Sequence, residues 1–159
     1  MSRPDRIEIE RKFLVQSDAW KRGATGTRFR QGYLSTDRDR TVRIRLEGAG
    51  ARLNIKGKKT GARSIELEYP IPADDASFLI DNLCKPHVID KTRYRIDHAG
   101  MTWEVDEFHG INDGLVVAEI ELNDEDQPFE RPSWLGAEVT EDGRYSNAAL
   151  SDTPYSQWG

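Results

Sequence analysis

Apolar and charged residues alternate in seven short stretches of the chain. The first is Ile7–Phe13, where Glu8, Glu10 and Lys12 fall on one side and Ile7, Ile9 and Phe13 on the other. Period-two alternation is the mark of a strand, whose side chains point to opposite faces in turn. Arg43 and Arg45 repeat the pattern against Val42, Ile44 and Leu46, and Asn54, Lys56 and Lys58 against Leu53 and Ile55. Glu66 and Glu68 oppose Ile65, Leu67 and Tyr69, and Lys91, Arg93 and Arg95 oppose Tyr94 and Ile96. Glu104 and Asp106 oppose Trp103 and Val105, and Glu119 and Glu121 oppose Ile120 and Leu122. Strands are therefore predicted at 6–15, 27–35, 41–47, 52–58, 63–71, 91–97, 102–108 and 115–122. Between them stand "EGAG", "KKTG", "DHAG" and "GINDG", turn-forming runs short enough for antiparallel hairpins. Eight such strands suggest a barrel or a sandwich. The best helix is 73–84, which follows Pro72, carries Asp74 and Asp75 at its start and repeats Ala76, Leu79 and Leu83 at helical spacing. Shorter helices are predicted at 17–23, ending at Gly23, and as a turn or two at 131–136 and 146–150.

The bland account of one such strand is a sheet with one wet face. The set resists that account. A solvated face mixes Thr, Ser and Gln with charges of both signs, whereas these faces are almost purely ionic and their signs are sorted by strand. Like charges at i, i+2 sit about 6.7 Å apart. Their repulsion is about 2.5 kcal/mol at an effective dielectric near 20, and under about 1 kcal/mol in open water. In a confined space they need counterions. Paired carboxylates suit divalent metal; paired Arg and Lys suit phosphate-type anions. Amphipathic strands fit either orientation, and the charge sorting favours charged faces turned into a closed lumen, with the apolar outer face covered by helices and loops.

Composition agrees with a single unit over 1–159: 159 residues, 36% hydrophobic and 32% charged. A net charge of −5 gives no basic footprint for nucleic acid. The lone Cys84 excludes an internal disulfide framework. The N-terminus has no apolar leader region and no run reaches membrane-spanning length, so a soluble cytoplasmic protein is expected. His87, His98 and His109 are scattered and make no metal cluster. "KGKKTG" at 56–61 lacks P-loop spacing, and Lys59 reads as a solvated turn residue. Cys84 reads as a packing residue, Trp20, Trp103 and Trp134 as outer-face packing, and Trp158 as part of a frayed end.

The Glu8-x-Glu10-x-Lys12 strand, followed by the ordered basic and acidic pairs, "AEIEL" and the tail "WLGAEVTEDGRYSNAAL", resembles the CYTH family of triphosphate tunnel metalloenzymes. The resemblance runs over nearly the whole chain. It implies a mainly β (α+β) fold, an eight-stranded antiparallel closed barrel with a charged lumen and a few covering helices, acting on triphosphates with Mg²⁺ or Mn²⁺. Carried over by position, Glu8, Glu10, Glu119 and Glu121 are the metal-binding acids, with Glu104 and Asp106 as further metal candidates. Arg43, Arg45, Lys56, Lys91 and Arg93 are the substrate binders, and Lys58 and Arg95 join them from nearer the strand ends. Lys12, Glu66 and Glu68 are the catalytic candidates. Thr140, Arg144 and Tyr145 belong to the tail motif without an assigned role. The reaction implied is hydrolysis of a small triphosphate by an inorganic triphosphatase, with nucleoside triphosphates as further candidates. Class IV adenylate cyclase, thiamine triphosphatase and a non-catalytic polyphosphate-binding module are the alternatives. The expected partner is the small-molecule triphosphate, with no nucleic acid or membrane, and the chain is expected as a monomer or homodimer.

Overall fold

In the computed structural model, which describes residues 6–159, nine antiparallel strands form one sheet. They are β1 (Ile7–Val15), β2 (Gly26–Ser35), β3 (Arg40–Glu47), β4 (Gly50–Gly57), β5 (Arg63–Pro70), β6 (Ile89–His98), β7 (Met101–Phe108), β8 (Val116–Leu122) and β9 (Leu135–Glu138). The order is β5-β4-β3-β2-β6-β7-β8-β1-β9, and a further β5–β1 pairing closes the first eight strands into a barrel. The seam is short, matching Ile7, Glu8 and Ile9 with Ile65, Ser64 and Arg63. Each alternating segment of the sequence is a strand of this barrel. The hairpins obey local turn chemistry. At the β6–β7 turn, Ala99 and Gly100 both take positive φ (50° and 80°), the backbone that lets a two-residue loop follow the twist of the strands. Residues 1–5 of the expected unit lie outside the described residues.

The apolar faces pack outward in separate patches. Ile9, Phe13, Trp103, Val105 and Ile120 pack under Trp20, Trp134 and Leu135. Phe13–Trp103 and Trp103–Trp134 meet edge to face at 5.6 and 5.8 Å, an arrangement each pair of which adds about 1 kcal/mol to plain burial. The three tryptophans thus pack as their sequence positions suggest. α1 (Ala73–Asn82) lays Ala76 and Ile80 over Ile44 and Ala51. Cys84 joins that cluster, and Gly32 makes room for it: a Cβ there would stand 2.8 Å from Cys84 Cβ. Cover is incomplete over β4 and β5, where Ile55, Ile65 and Tyr69 stay 37%, 46% and 48% exposed, contrary to the expected coat of helices and loops.

Further elements depart from the sequence expectation. The 17–23 helix is a single 3-10 turn at Ala19–Lys21. Of the predicted helical turn at 131–136, Ser133 and Trp134 form a non-helical turn and Leu135 and Gly136 open β9, which pairs with β1 on the edge opposite β8, beyond the end of the β5 seam. Local pattern sees four residues; the free edge they complete belongs to a strand more than a hundred residues earlier. α2 (Asn147–Asp152) is capped by Ser146, whose side chain accepts from the Ala149 N–H. Leu150 of α2 packs on Tyr33, Ile89, Phe108 and Val117, the inward positions at one end of β2, β6, β7 and β8, so that end of the lumen is filled. Trp158 is not frayed. It meets Tyr145 and Tyr155 edge to face at 5.1 and 5.0 Å, and its Nε1 donates to the Thr153 carbonyl.

Candidate active site in the barrel lumen

Strand phase turns the charged faces inward. They line a cavity of about 1130 Å³ that gathers Glu8, Glu10, Lys12, Arg43, Arg45, Lys56, Glu66, Glu68, Lys91, Arg93, Arg95, Glu104, Glu119 and Glu121. Two predicted residues stand apart. Lys58 lies beyond the end of β4, exposed and outside the lining. Asp106 is buried beneath the basic residues: Lys91 Nζ donates to it at 2.8 Å, and Arg93 grips both its oxygens at 2.8 and 2.9 Å. Burial works to raise Asp106, but Arg93 and Lys91 hold it below the usual carboxylate value.

The lumen has two unlike walls. On the basic wall, Arg45 and Arg93 stack on Phe29 at 4.9 and 5.0 Å from its centroid. Burial, with Arg43 and Arg93 nearby, lowers Arg45 to about 10. Burial lowers Lys91 to about 7 against the pull of Asp106. Arg43 Nε is buried with no hydrogen-bond partner, an orphan donor of the kind an anion would satisfy. Arg43, Arg45 and Arg93 also reach Glu68, Glu47 and Glu104 at 3.8, 3.6 and 3.3 Å, and their donors beyond these loose pairs suit the oxygens of a polyphosphate.

On the acidic wall, carboxylates face carboxylates. Register sets Glu10 opposite Glu121 and Glu119 opposite both Lys12 and Glu104. Like charges directly opposite destabilise a sheet. Burial, then the carboxylates of Glu119 and Glu8, push Glu10 well above its usual value, and Glu10 and Glu119 hydrogen-bond to each other. Burial works to raise Glu119 too, but Lys12 and Arg93 hold it well below. Burial raises Glu8 and Glu121. Lys56 spans the gap at 2.7 Å from Glu8 and 3.6 Å from Glu66. Burial works to lower Lys56, but Glu10, Glu8 and Glu66 raise it. Lys12 lies 3.6 Å from Glu119 and donates to the Tyr145 carbonyl at 3.2 Å.

These acids offer hard oxygen donors only, a set that suits Mg²⁺ or Mn²⁺ rather than a soft metal. Glu10, partly buried against another carboxylate and without an ion pair among the described residues, is the group a cation would satisfy. Among the described residues no three His, Cys, Asp or Glu side chains are gathered tightly enough to hold a metal ion. Lys56 draws Glu8 instead, and Glu10 stands beside Glu119.

Several lumen residues escape the sequence reading. Gln31 is fully buried between Arg45 and Asn147. Its only signal is phase, since Phe29, Gln31 and Tyr33 alternate with Arg28 and Arg30, which pair outside with Asp90 and Asp81. Lys59, expected as a free turn residue, lines the cavity and donates to the Thr140 carbonyl at 2.9 Å. Thr140 and Tyr145 hold β1, Thr140 Oγ1 accepting from the Lys12 N–H at 3.0 Å. Arg144 pairs with Asp142.

Comparison with known proteins follows this geometry. The CYTH domain model matches residues 6–154. An inorganic triphosphatase of Acetivibrio thermocellus is 48% identical over 151 residues, 95% of this chain and 97% of that protein. An inorganic triphosphatase of Nitrosomonas europaea is 38% identical over 149 residues, 91% of this chain and 96% of that one. A solved inorganic triphosphatase superposes with a TM-score of 0.64 at 35% identity, covering 91% of this chain and 93% of its own.

Proposed function

We propose, from the premise that the chain belongs to the CYTH domain family, that it is a divalent-metal-dependent inorganic triphosphatase, splitting tripolyphosphate into pyrophosphate and phosphate. Two similar proteins covered along almost their whole length are inorganic triphosphatases. The observation that carries the reading is the confrontation of the walls: acids facing acids around Glu10 and Glu119, across one lumen from Arg43, Arg45, Lys91 and Arg93.

Phosphoryl transfer asks mainly for positioning and charge neutralisation. Arg43, Arg45, Lys91 and Arg93 would bind the non-bridging oxygens and hold the chain of phosphates along the lumen. Phe29 beneath Arg45 and Arg93, and Asp106 beneath Lys91 and Arg93, help fix those cations on their wall. Glu8, Glu10, Glu119 and Glu121 would hold Mg²⁺ or Mn²⁺. When bound, such an ion neutralises phosphate charge and lowers the pKa of a water. Lys56, shared by Glu8 and Glu66, and Lys12, beside Glu119, can follow the charge as it moves from acid to phosphate. Glu66 of β5, across from Lys56, is the acid placed to take a proton from water, whereas Glu68 already accepts from Arg52 and Asn54 at 3.1 and 3.2 Å. We leave Asp106 and Lys58 out of this machinery, because the first is spent on two cations and the second is outside the cavity.

The test is a product assay with tripolyphosphate, ATP and thiamine triphosphate, each with Mg²⁺, Mn²⁺ or EDTA. Metal-dependent phosphate release, fastest from tripolyphosphate, is expected, and Glu10→Gln should lower it by at least about a hundredfold without lowering the melting temperature. Cyclic AMP with pyrophosphate from ATP, or full turnover by Glu10→Gln, would overturn the reading.

A further inference from the structure

We propose that Asn147 is a substrate-binding residue, its side-chain NH2 group donating to a phosphoryl oxygen at the filled end of the lumen. The inference rests on the triphosphate reading of the same cavity.

A chain of hydrogen bonds fixes which way the amide points. Arg45 can only donate, and its Nε meets Gln31 Oε1 at 2.9 Å. The other end of the Gln31 amide is therefore its Nε2, which donates to Asn147 Oδ1 at 2.9 Å. Lys91 Nζ donates to the same Oδ1 at 2.9 Å. Oxygen and nitrogen of an amide are hard to tell apart by shape, but here the guanidinium at the head of the chain leaves a single consistent assignment. Asn147 Oδ1 is spent on two donors. Its Nδ2 donates to nothing among the described residues, and Asn147 lines the cavity together with Lys12, Lys91 and Arg93.

The chemistry suits the place. The basic wall already crowds its cations, so another positive charge there would add repulsion. A neutral amide supplies a directed donor without that cost. It also couples recognition to order: the bonds that aim the Asn147 NH2 also tie down Arg45, through Gln31, and Lys91. Nothing in the sequence motif marks this role, because Asn147 and Gln31 are 116 positions apart and meet only when α2 seats on the barrel end.

The test is direct. In ¹⁵N-labelled protein, the Asn147 side-chain amide pair is assigned by its disappearance in Asn147→Asp, which keeps the oxygen that Gln31 and Lys91 need. Tripolyphosphate is titrated in EDTA, where metal-dependent turnover is stopped and saturation is followed on the backbone amides of β3 and β6. The Asn147 NH2 resonances should move downfield with the same saturation curve, and Asn147→Ala should raise the Kd about tenfold. Saturation with the Asn147 amide unmoved would overturn the proposal and leave the hydrolase reading standing. Binding that moves the amide, in a protein that fails the product assay, would overturn the hydrolase and keep the contact. No binding at all would overturn the contact, and the product assay with metal would then decide the hydrolase by itself.

Discussion

Asp106 shows at the scale of one residue what strand pattern can and cannot carry. In sequence it is the second acid of the Glu104, Asp106 pair and looks like its neighbour. In the barrel, β7 lies against β6 with Arg93 opposite Asp106 and Arg95 opposite Glu104. Both Asp106 oxygens are consumed there, and its side chain is 1% exposed. Face and sign were legible in alternation; depth and partner were not, because they follow from the register between two strands. Asp106→Asn should therefore act on the fold first. It leaves Lys91 and Arg93 buried with their shared counter-charge gone, a change that costs roughly 3–5 kcal/mol. Urea unfolding followed by tryptophan fluorescence measures it; a midpoint equal to the wild type would show that the ion triad contributes little.

At the scale of the element, the eight barrel strands were legible within one or two residues and β9 was not. A strand inside a meander announces itself by its own alternation and turns. β9 is Leu135–Glu138, too short to show a period, and exists because β1 runs on past its short seam with β5 and leaves that edge free. Its clamp is Arg11, which donates to both oxygens of Glu138 at 2.8 and 2.6 Å. That hydrogen bond chiefly holds Glu138 below its ordinary value of 4.5. A depressed carboxylate stabilises the fold above its unfolded pKa, and the gain is lost as pH falls through that value and then through the folded one. The wild type should lose melting temperature between about pH 5 and pH 3 more steeply than Glu138→Gln. At pH 7 the variant should be the less stable by up to about 1 kcal/mol, the range of partly exposed pairs. Parallel acid limbs in the two melting curves would remove this role from the β9 clamp.

For the molecule as a whole, closure was legible in the number of strands and in their sorted charges, since a lumen with two unlike walls has no purpose in an open sheet. The filled end was not. Residues 146–150 read as a turn of helix, and what that helix plugs is decided by Leu150 meeting Tyr33, Ile89, Phe108 and Val117 from four strands. The barrel carries a net charge of −5 yet holds its cations inside. An anion that reaches the lumen relieves their mutual repulsion and so stabilises the fold. Tripolyphosphate at a hundred times its Kd should add about 2.7 kcal/mol. That is a rise of about 5–10 °C in melting temperature for a chain of this size, read by scanning fluorimetry in EDTA. An unchanged melting temperature at every tripolyphosphate concentration would mean that the lumen does not take the anion.

The pairing of β1 with the last strands of the chain has a consequence in time. Ile9 pairs with Leu122, and Phe13 with Glu138, so the first strand to leave the ribosome must wait for nearly the last. Until then β2 to β7 can zip as consecutive hairpins, apart from one crossover, and β1 has only its three-residue seam with β5 to hold it. Contacts so distant in sequence form slowly. The chain therefore becomes competent for its chemistry in its final folding step: the pairing that brings Glu10 to Glu119 is also the one that shuts the barrel.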